Sequence, residues 1–330
     1  MKCQAYLLFR YISYIFVIFI VSLMSSCSLH HTNVPESNLL SYDVDGDSLL
    51  AQNAPTFVIE RPGDDWNRIA SPVIQENHRE RKITLDSDTA TIYAETRRWK
   101  GARDVYTNLI YRVHFTKIPF RLIPFNLTAG KNVGLMVIIT INSRKEPVLV
   151  TTVHTCGCYL AFIPTSHLDQ HSWPENWKSE RQRIYGEILP GMLTIEQGFE
   201  ESPLVLLLRE STHRVKDVHL HSDSEPQLHL QAHLAPMQSL SDIEDGDQGI
   251  THSFFETEGS RKDYVIDSHK IWERLFISWW ALDWRVGEDK RLGQDTSDGI
   301  VFYTSLKPWA RSESDLRDFA NFLQYWGWNL

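Results

Sequence analysis

An α+β fold, built mostly on antiparallel sheet with flanking helices and a tryptophan-rich helical C-terminus, is what this sequence predicts. Three observations carry that expectation. Two apolar runs, 133–141 and 147–162, are joined by the short turn "NSRKE", and so brief a connection makes antiparallel neighbours. Period-two alternation recurs between Val215 and Leu234. Beyond Ser268 the apolar spacing changes to that of an amphipathic helix.

The chain opens with Lys2 and Arg10, continues with an apolar run from Tyr11 to Met24, and closes this segment on small residues and Cys27. Charge, apolar stretch and small-residue site in that order make a secretory signal. The run is shorter than the roughly 20 residues of a membrane-spanning helix, so cleavage is expected rather than a permanent span. The stretch "LMSSC" resembles the lipobox of bacterial lipoproteins, with Met24 standing where that family carries Leu, Val or Ala. The resemblance covers residues 1–27 only. It implies that Cys27 becomes the acylated first residue of the mature chain and holds it on a membrane. Ser28 after it implies sorting to the outer membrane, facing the periplasm.

This gives a signal peptide at 1–26, a lipid-anchored flexible tether at 27–60 and a globular domain at 61–330, with a sub-boundary near 240–262. The tether assignment rests on a polar, turn-rich composition without sustained periodicity. Within it, "DVDGD" (Asp43–Asp47) has the start of a calcium loop, but Ser48 and Ala54 stand where the loop needs glycine and glutamate, which leaves a solvated acidic turn.

Loss of Lys2 and Arg10 with the signal takes the formal net charge from −9 to −11, which argues against nucleic acid as a partner. Of the four cysteines, Cys3 leaves with the signal and Cys27 carries lipid, so the folded part keeps only Cys156 and Cys158. A disulfide framework is excluded, and a packed core must hold the fold.

Residues 95–115 read as helical or mixed, and Pro119 and Pro124 forbid a regular helix after them. The run 203–210 suits a buried strand or a short helix equally. Val215–His221 and Gln227–Leu234 read as a hairpin, with Val218, Leu220, Leu228, Leu230 and Leu234 on one face and His219, His221, His229 and His233 on the other. Ser268–Gly287 reads as a helix placing Ile271, Leu275 and Leu282 near one face, widened by Trp272, Phe276 and Trp279. A strand at 299–306 and a last helix, capped by Ser312 and ending near Gly327, complete the chain. Leu316, Phe319, Leu323 and Trp326 have core spacing within it.

The chemistry concentrates in "TTVHTCGCYLAF". Extended, it sets His154, Cys156 and Cys158 on one face, and "HLDQH" then supplies His167, Asp169 and His171. Thiolate, imidazole and carboxylate suit a transition metal, Zn or Cu. A straight strand spreads His154 and Cys158 over about 13 Å, so a shared ion requires a bend, which Gly157 permits. The alternative use of Cys156 and Cys158 is a disulfide pair, which also requires bending at Gly157. No G-x-S-x-G, H-E-x-x-H or phosphate-cradling glycine loop is present, and enzymatic activity is not expected. The functional expectation is a lipid-anchored envelope protein, a binding or envelope-maintenance module with a His/Cys metal site. Two alternatives stand beside it: a periplasmic thiol–disulfide protein, and a purely structural lipoprotein that binds another envelope component.

Overall fold

A computed structural model describes residues 38–330, apart from 78–79, 124, 197, 222–227 and 245–249. The signal segment and Cys27 lie outside the described residues.

The strands in chain order are β1 (Leu39–Asp43), β2 (Thr56–Glu60), β3 (Ser71–Asn77), β4 (Glu80–Asp86), β5 (Thr91–Lys100), β6 (Val105–Ile118), β7 (Gly130–Ile141), β8 (Pro147–His154) and β9 (Ala161–Pro164). They are followed by β10 (Arg181–Ile184), β11 (Glu187–Pro190), β12 (Leu204–Leu208), β13 (Val215–Leu220), β14 (His229–Gln231), β15 (His233–Pro236), β16 (Ile243–Glu244) and β17 (Thr251–His252). Among the described residues three α-helices accompany them: α1 (Leu49–Gln52), α2 (Ile271–Ala281) and α3 (Phe319–Tyr325). The class is α+β with mainly antiparallel sheet.

A six-stranded sheet, ordered β15-β5-β6-β7-β8-β9, divides the core. Because successive side chains point to opposite faces, the odd-numbered residues Leu109, Tyr111, Val113 and Phe115 of β6 join Leu135, Val137 and Ile139 of β7 on one side. There they meet Phe57, Ile59, Leu204 and Leu206 from the second sheet, ordered β13-β12-β2-β1-β14. The even-numbered Ile110, Met136 and Ile138 face the other way, against Phe302, Leu316, Phe322 and Trp328 of the C-terminal layer. The strands of the central sheet are therefore apolar on both faces, which is why 133–141 reads as an uninterrupted apolar run.

Several expectations change. Residues 39–60 are not a tether: β1 and β2 sit inside the five-stranded sheet, with Leu40, Tyr42, Phe57 and Ile59 buried. Residues 95–115 are not helical but lie in the β5–β6 antiparallel pair. The histidine-rich hairpin does not form, since β13 and β14 occupy opposite edges of one sheet and β15 joins the other sheet beside β5. Residues 299–306 carry only the isolated Tyr303–Asp315 bridge. The last helix is shorter than expected and is capped by Asp318, which accepts from the Asn321 amide, rather than by Ser312. The antiparallel β7–β8 pair and the buried Leu316, Phe319 and Leu323 stand as expected, and 203–210 resolves as a strand.

Candidate functional site

The segment between β8 and β9 is a tight turn rather than a continued strand. The Gly157 amide donates to the His154 carbonyl at 2.7 Å, and the His154 amide donates to the Cys158 carbonyl at 2.9 Å. Gly157 has φ +92°, and a Cβ there would meet the Tyr303 carbonyl oxygen at 2.1 Å, so both the conformation and the space require glycine. The turn brings the Cα atoms of Cys156 and Cys158 to 5.6 Å, and the two sulfurs form a disulfide. Cys156 is buried and Cys158 half-buried.

Beneath the turn lies a set of charges withdrawn from water. Asp289, fully buried, accepts from Ser268 Oγ at 2.7 Å, from Thr155 Oγ1 and from the Gly134 amide at 3.3 Å. Lys270 Nζ, equally buried, stands 3.2 Å from its Oδ2. Burial pushes the Asp289 carboxyl up, but the Lys270 ammonium and the two hydroxyl donors outweigh it and hold the group below the usual range. Lys290 Nζ donates to the Cys156 carbonyl at 2.7 Å and lies 4.4 Å from the centre of the Tyr303 ring. Burial lowers its pKa to about 8. Burial raises that of Glu273, whose carboxylate fills the space a side chain at Gly287 would need.

Glu273 belongs to α2, and α2 is oriented contrary to the expectation for an amphipathic helix. Its buried residues are Glu273, Ser278 and Ala281. Its exposed residues are Ile271, Leu275, Phe276, Trp279 and Trp280, followed by Leu282 and Trp284. The apolar spacing that reads as a core face in the sequence is the outer face of the protein. On that inward face the Glu273 carboxyl feels the charges of Lys270 and Lys290, which favour its ionised form, and of Asp289, which opposes it. Trp279, Trp280 and Trp284 are 72 %, 56 % and 66 % exposed. At 150–250 Å² per tryptophan these three leave on the order of 300–500 Å² of ring surface outside. The largest apolar patch of a typical monomer reaches only about 300–600 Å² in total.

The patch extends beyond the helix. Phe120 stacks on Trp272 with ring centres 5.4 Å apart, and Phe125 meets both Trp272 and Phe276 edge-on. Between these phenylalanines Leu122 and Ile123 are 71 % and 93 % exposed. Leu282 ends α2 with φ +52° and a side chain largely in solvent, at a position where glycine is the usual residue.

The six residues expected to ligate a metal are not brought together. His154, Cys156 and Cys158 lie at the start of the β8–β9 turn, whereas His167, Asp169 and His171 follow the far end of β9. Both sulfurs are committed to each other. His154 Nε2 contacts the His213 carbonyl at 3.1 Å, and burial lowers its pKa to about 3. Asp169 accepts from the His171 amide and contacts His171 Nδ1 at 2.8 Å on the surface, 3.5 Å from Arg103. Among the described residues no group of three or more His, Cys, Asp or Glu gathers in ligating geometry. The hairpin histidines do not join them: His229 lies beside Ser41 and Asp43 at a sheet edge, and His219 pairs with Asp217.

Sequence reasoning leaves out Lys270, Glu273, Asp289 and Lys290. The only local signal is density, since "GEDK" puts three charged residues in a row, Glu288 to Lys290, directly after Gly287. A cleft of about 740 Å³ along β10, lined by Trp177, Arg181 and Arg183 among others, includes none of these groups. No family model, curated protein or solved structure matches the chain.

Proposed function

We propose that this chain is a lipid-anchored protein of the cell envelope, tethered through Cys27, whose folded domain acts as a binding module that holds an envelope component against the outward face of α2. The observation that carries the reading is the inverted helix: its acidic residue Glu273 is buried, while Trp279 and Trp280 face water. Exposing three tryptophans forgoes several kcal/mol of burial that the fold would gain by turning the helix. A surface of this kind persists when something else covers it.

The test is site-specific photo-crosslinking in intact envelopes. A benzophenone side chain at position 279 yields an adduct with an envelope component, whereas the same group at the exposed position 183 on β10 yields none. Equal adducts at both positions, or none at 279, would overturn the reading.

The disulfide favours a second reading as a thiol–disulfide protein. A partner dithiol attacks Cys158 Sγ, the half-buried sulfur; the intramolecular S–S bond breaks and Cys156 leaves as a thiolate that takes a proton. The partner's second thiol then closes its own disulfide and releases Cys158. Titration against a glutathione or dithiothreitol couple tests this, because a pair that stays oxidised throughout the accessible range cannot exchange.

A further inference from the structure

The identity of the component covering α2 can be read further, and this step rests on the docking reading above. Four observations bear on it. The exposed face is rich in tryptophan, the residue whose apolar body and polar N–H suit the boundary between water and hydrocarbon. It is bordered by cations although the protein is acidic overall at −9. Arg274 lies with its guanidinium 4.7 Å from the Trp284 ring centre, Arg285 follows that tryptophan, Arg311 donates to the Ala281 carbonyl at the end of the helix, and Arg121 adjoins Phe120. The neighbouring anions are turned away: Glu273 is buried, Asp283 accepts from Tyr303 Oη at 2.6 Å, and Glu210 is paired with Arg61 at 3.0 Å.

The third observation is where the described chain begins. The Asn38 carbonyl accepts from the Arg61 amide at 2.8 Å; Arg61 pairs with Glu210; and Glu210 lies 3.9 Å from Arg121, inside the Phe120–Ile123 part of the patch. The first described residue, Asn38, is thus linked through Arg61 and Glu210 to the Phe120–Ile123 part of the patch. The ten residues between Cys27 and Asn38 span at most about 36 Å when extended, which keeps that part of the patch close to whatever holds the anchor. Fourth, α2 carries Ile271, Leu275, Phe276, Trp279 and Trp280 on its outer side, an apolar helix face of the kind that lies in the plane of a membrane interface.

We propose that the occupant is the bilayer itself: α2, together with Phe120, Leu122, Ile123 and Phe125, lies in the interface of a membrane leaflet, with Trp279, Trp280 and Trp284 at the depth of the headgroups and first acyl carbons. Arg121, Arg274, Arg285 and Arg311 sit against anionic headgroups. The domain is thus held flat on the membrane by its own surface in addition to its anchor, and two weak attachments act as one strong one.

The experiment uses the full chain reconstituted in vesicles of mixed zwitterionic and anionic phospholipid carrying bromine on the upper acyl chain. Residues 1–37 contain no tryptophan, the first being Trp66, so the N-terminal segment tethers the chain without contributing to the emission. The proposal expects brominated lipid to quench the tryptophan emission relative to unbrominated lipid. Trp279→Phe with Trp280→Phe and Trp284→Phe should remove most of that quenching while the chain stays bound. Leu275→Glu with Trp279→Glu should reduce it at least tenfold without shifting the urea transition, because both side chains are more than half exposed. Emission that brominated lipid leaves unchanged would overturn the proposal. If position 279 still forms a protein adduct in intact envelopes, the docking reading stands with a protein as its partner; if it forms no adduct, both fall.

Discussion

Asp289→Asn isolates the charge pair beneath the turn. The substitution keeps an oxygen in the Oδ1 position to accept from Thr155 and the Gly134 amide, but puts an NH2 where Oδ2 accepts from Ser268 and removes the charge facing Lys270. Lys270 Nζ is completely buried and, among the described residues, has no polar side-chain partner besides Asp289, so an ammonium would be left in the interior uncompensated. Breaking one side of such a pair costs about 3–5 kcal/mol. That is about a fifth or more of the stability of an ordinary domain, and about a hundredfold to several thousandfold in the folding equilibrium. With a urea slope near 3 kcal/mol per molar, the midpoint should fall by about 1 M or more. Adding Lys270→Met to Asp289→Asn removes the stranded charge and should restore more than half of the loss, the signature of coupling in a double-mutant cycle. The assay is urea unfolding of the chain in mild detergent, followed by tryptophan emission. A loss below about 1 kcal/mol for Asp289→Asn, or no recovery in the double variant, would refute the claim that this pair anchors the inward face of α2.

Three further outcomes follow from the same structure. His154 and His213 are buried neutral with pKa values lowered to about 3, so the unfolded chain binds more protons than the folded one between about pH 6.5 and pH 3. Their stabilising contribution is full above pH 6.5 and is lost as the pH falls through that window; His154→Gln with His213→Gln should flatten the acid limb of a stability–pH curve, and an unchanged slope would contradict it. Gly157→Ala should cost several kcal/mol and hinder disulfide closure, because Tyr303 Oη's own residue presents its carbonyl 2.1 Å from the new Cβ, whereas Gly259→Ala, also at positive φ but facing open space, should cost only about 1 kcal/mol. Equal costs measured by thermal unfolding would show that the backbone conformation alone matters. Cys27→Ser should abolish incorporation of labelled palmitate in growing cells, and persistent labelling would remove the basis for the anchor.

Some of this architecture is legible in the residues and some is not. The β7–β8 pair follows from two apolar runs and a short turn, and the bend at Gly157 follows from a glycine between two cysteines that cannot meet on a straight strand. The existence of α2 is legible from its spacing, but its orientation is not. Periodicity defines an apolar face and leaves open whether protein or surroundings cover it; the charges that act on the inward Glu273 come from Lys270 just before the helix and from Asp289 and Lys290 beyond it, outside the helical pattern. Strands do form at β13, β14 and β15, but Leu228 and Leu230, expected on the core face, are exposed, and the partners are β12, β1 and β5; pairing over such separations leaves no mark in local sequence. The 154–171 cluster is dense along the chain and divided in space, because β9 runs extended between its halves.

The most direct measurement of the account is hydroxyl-radical footprinting of the chain in intact envelopes and after detergent extraction and detergent removal. The account predicts that Trp279, Trp280 and Trp284 are protected in the envelope and become labelled once the chain is freed, while His171, whose side chain is 84 % exposed, is labelled equally in both. Equal labelling of the three tryptophans in both states would mean that nothing covers the outward face of α2, and the proposed function would be wrong.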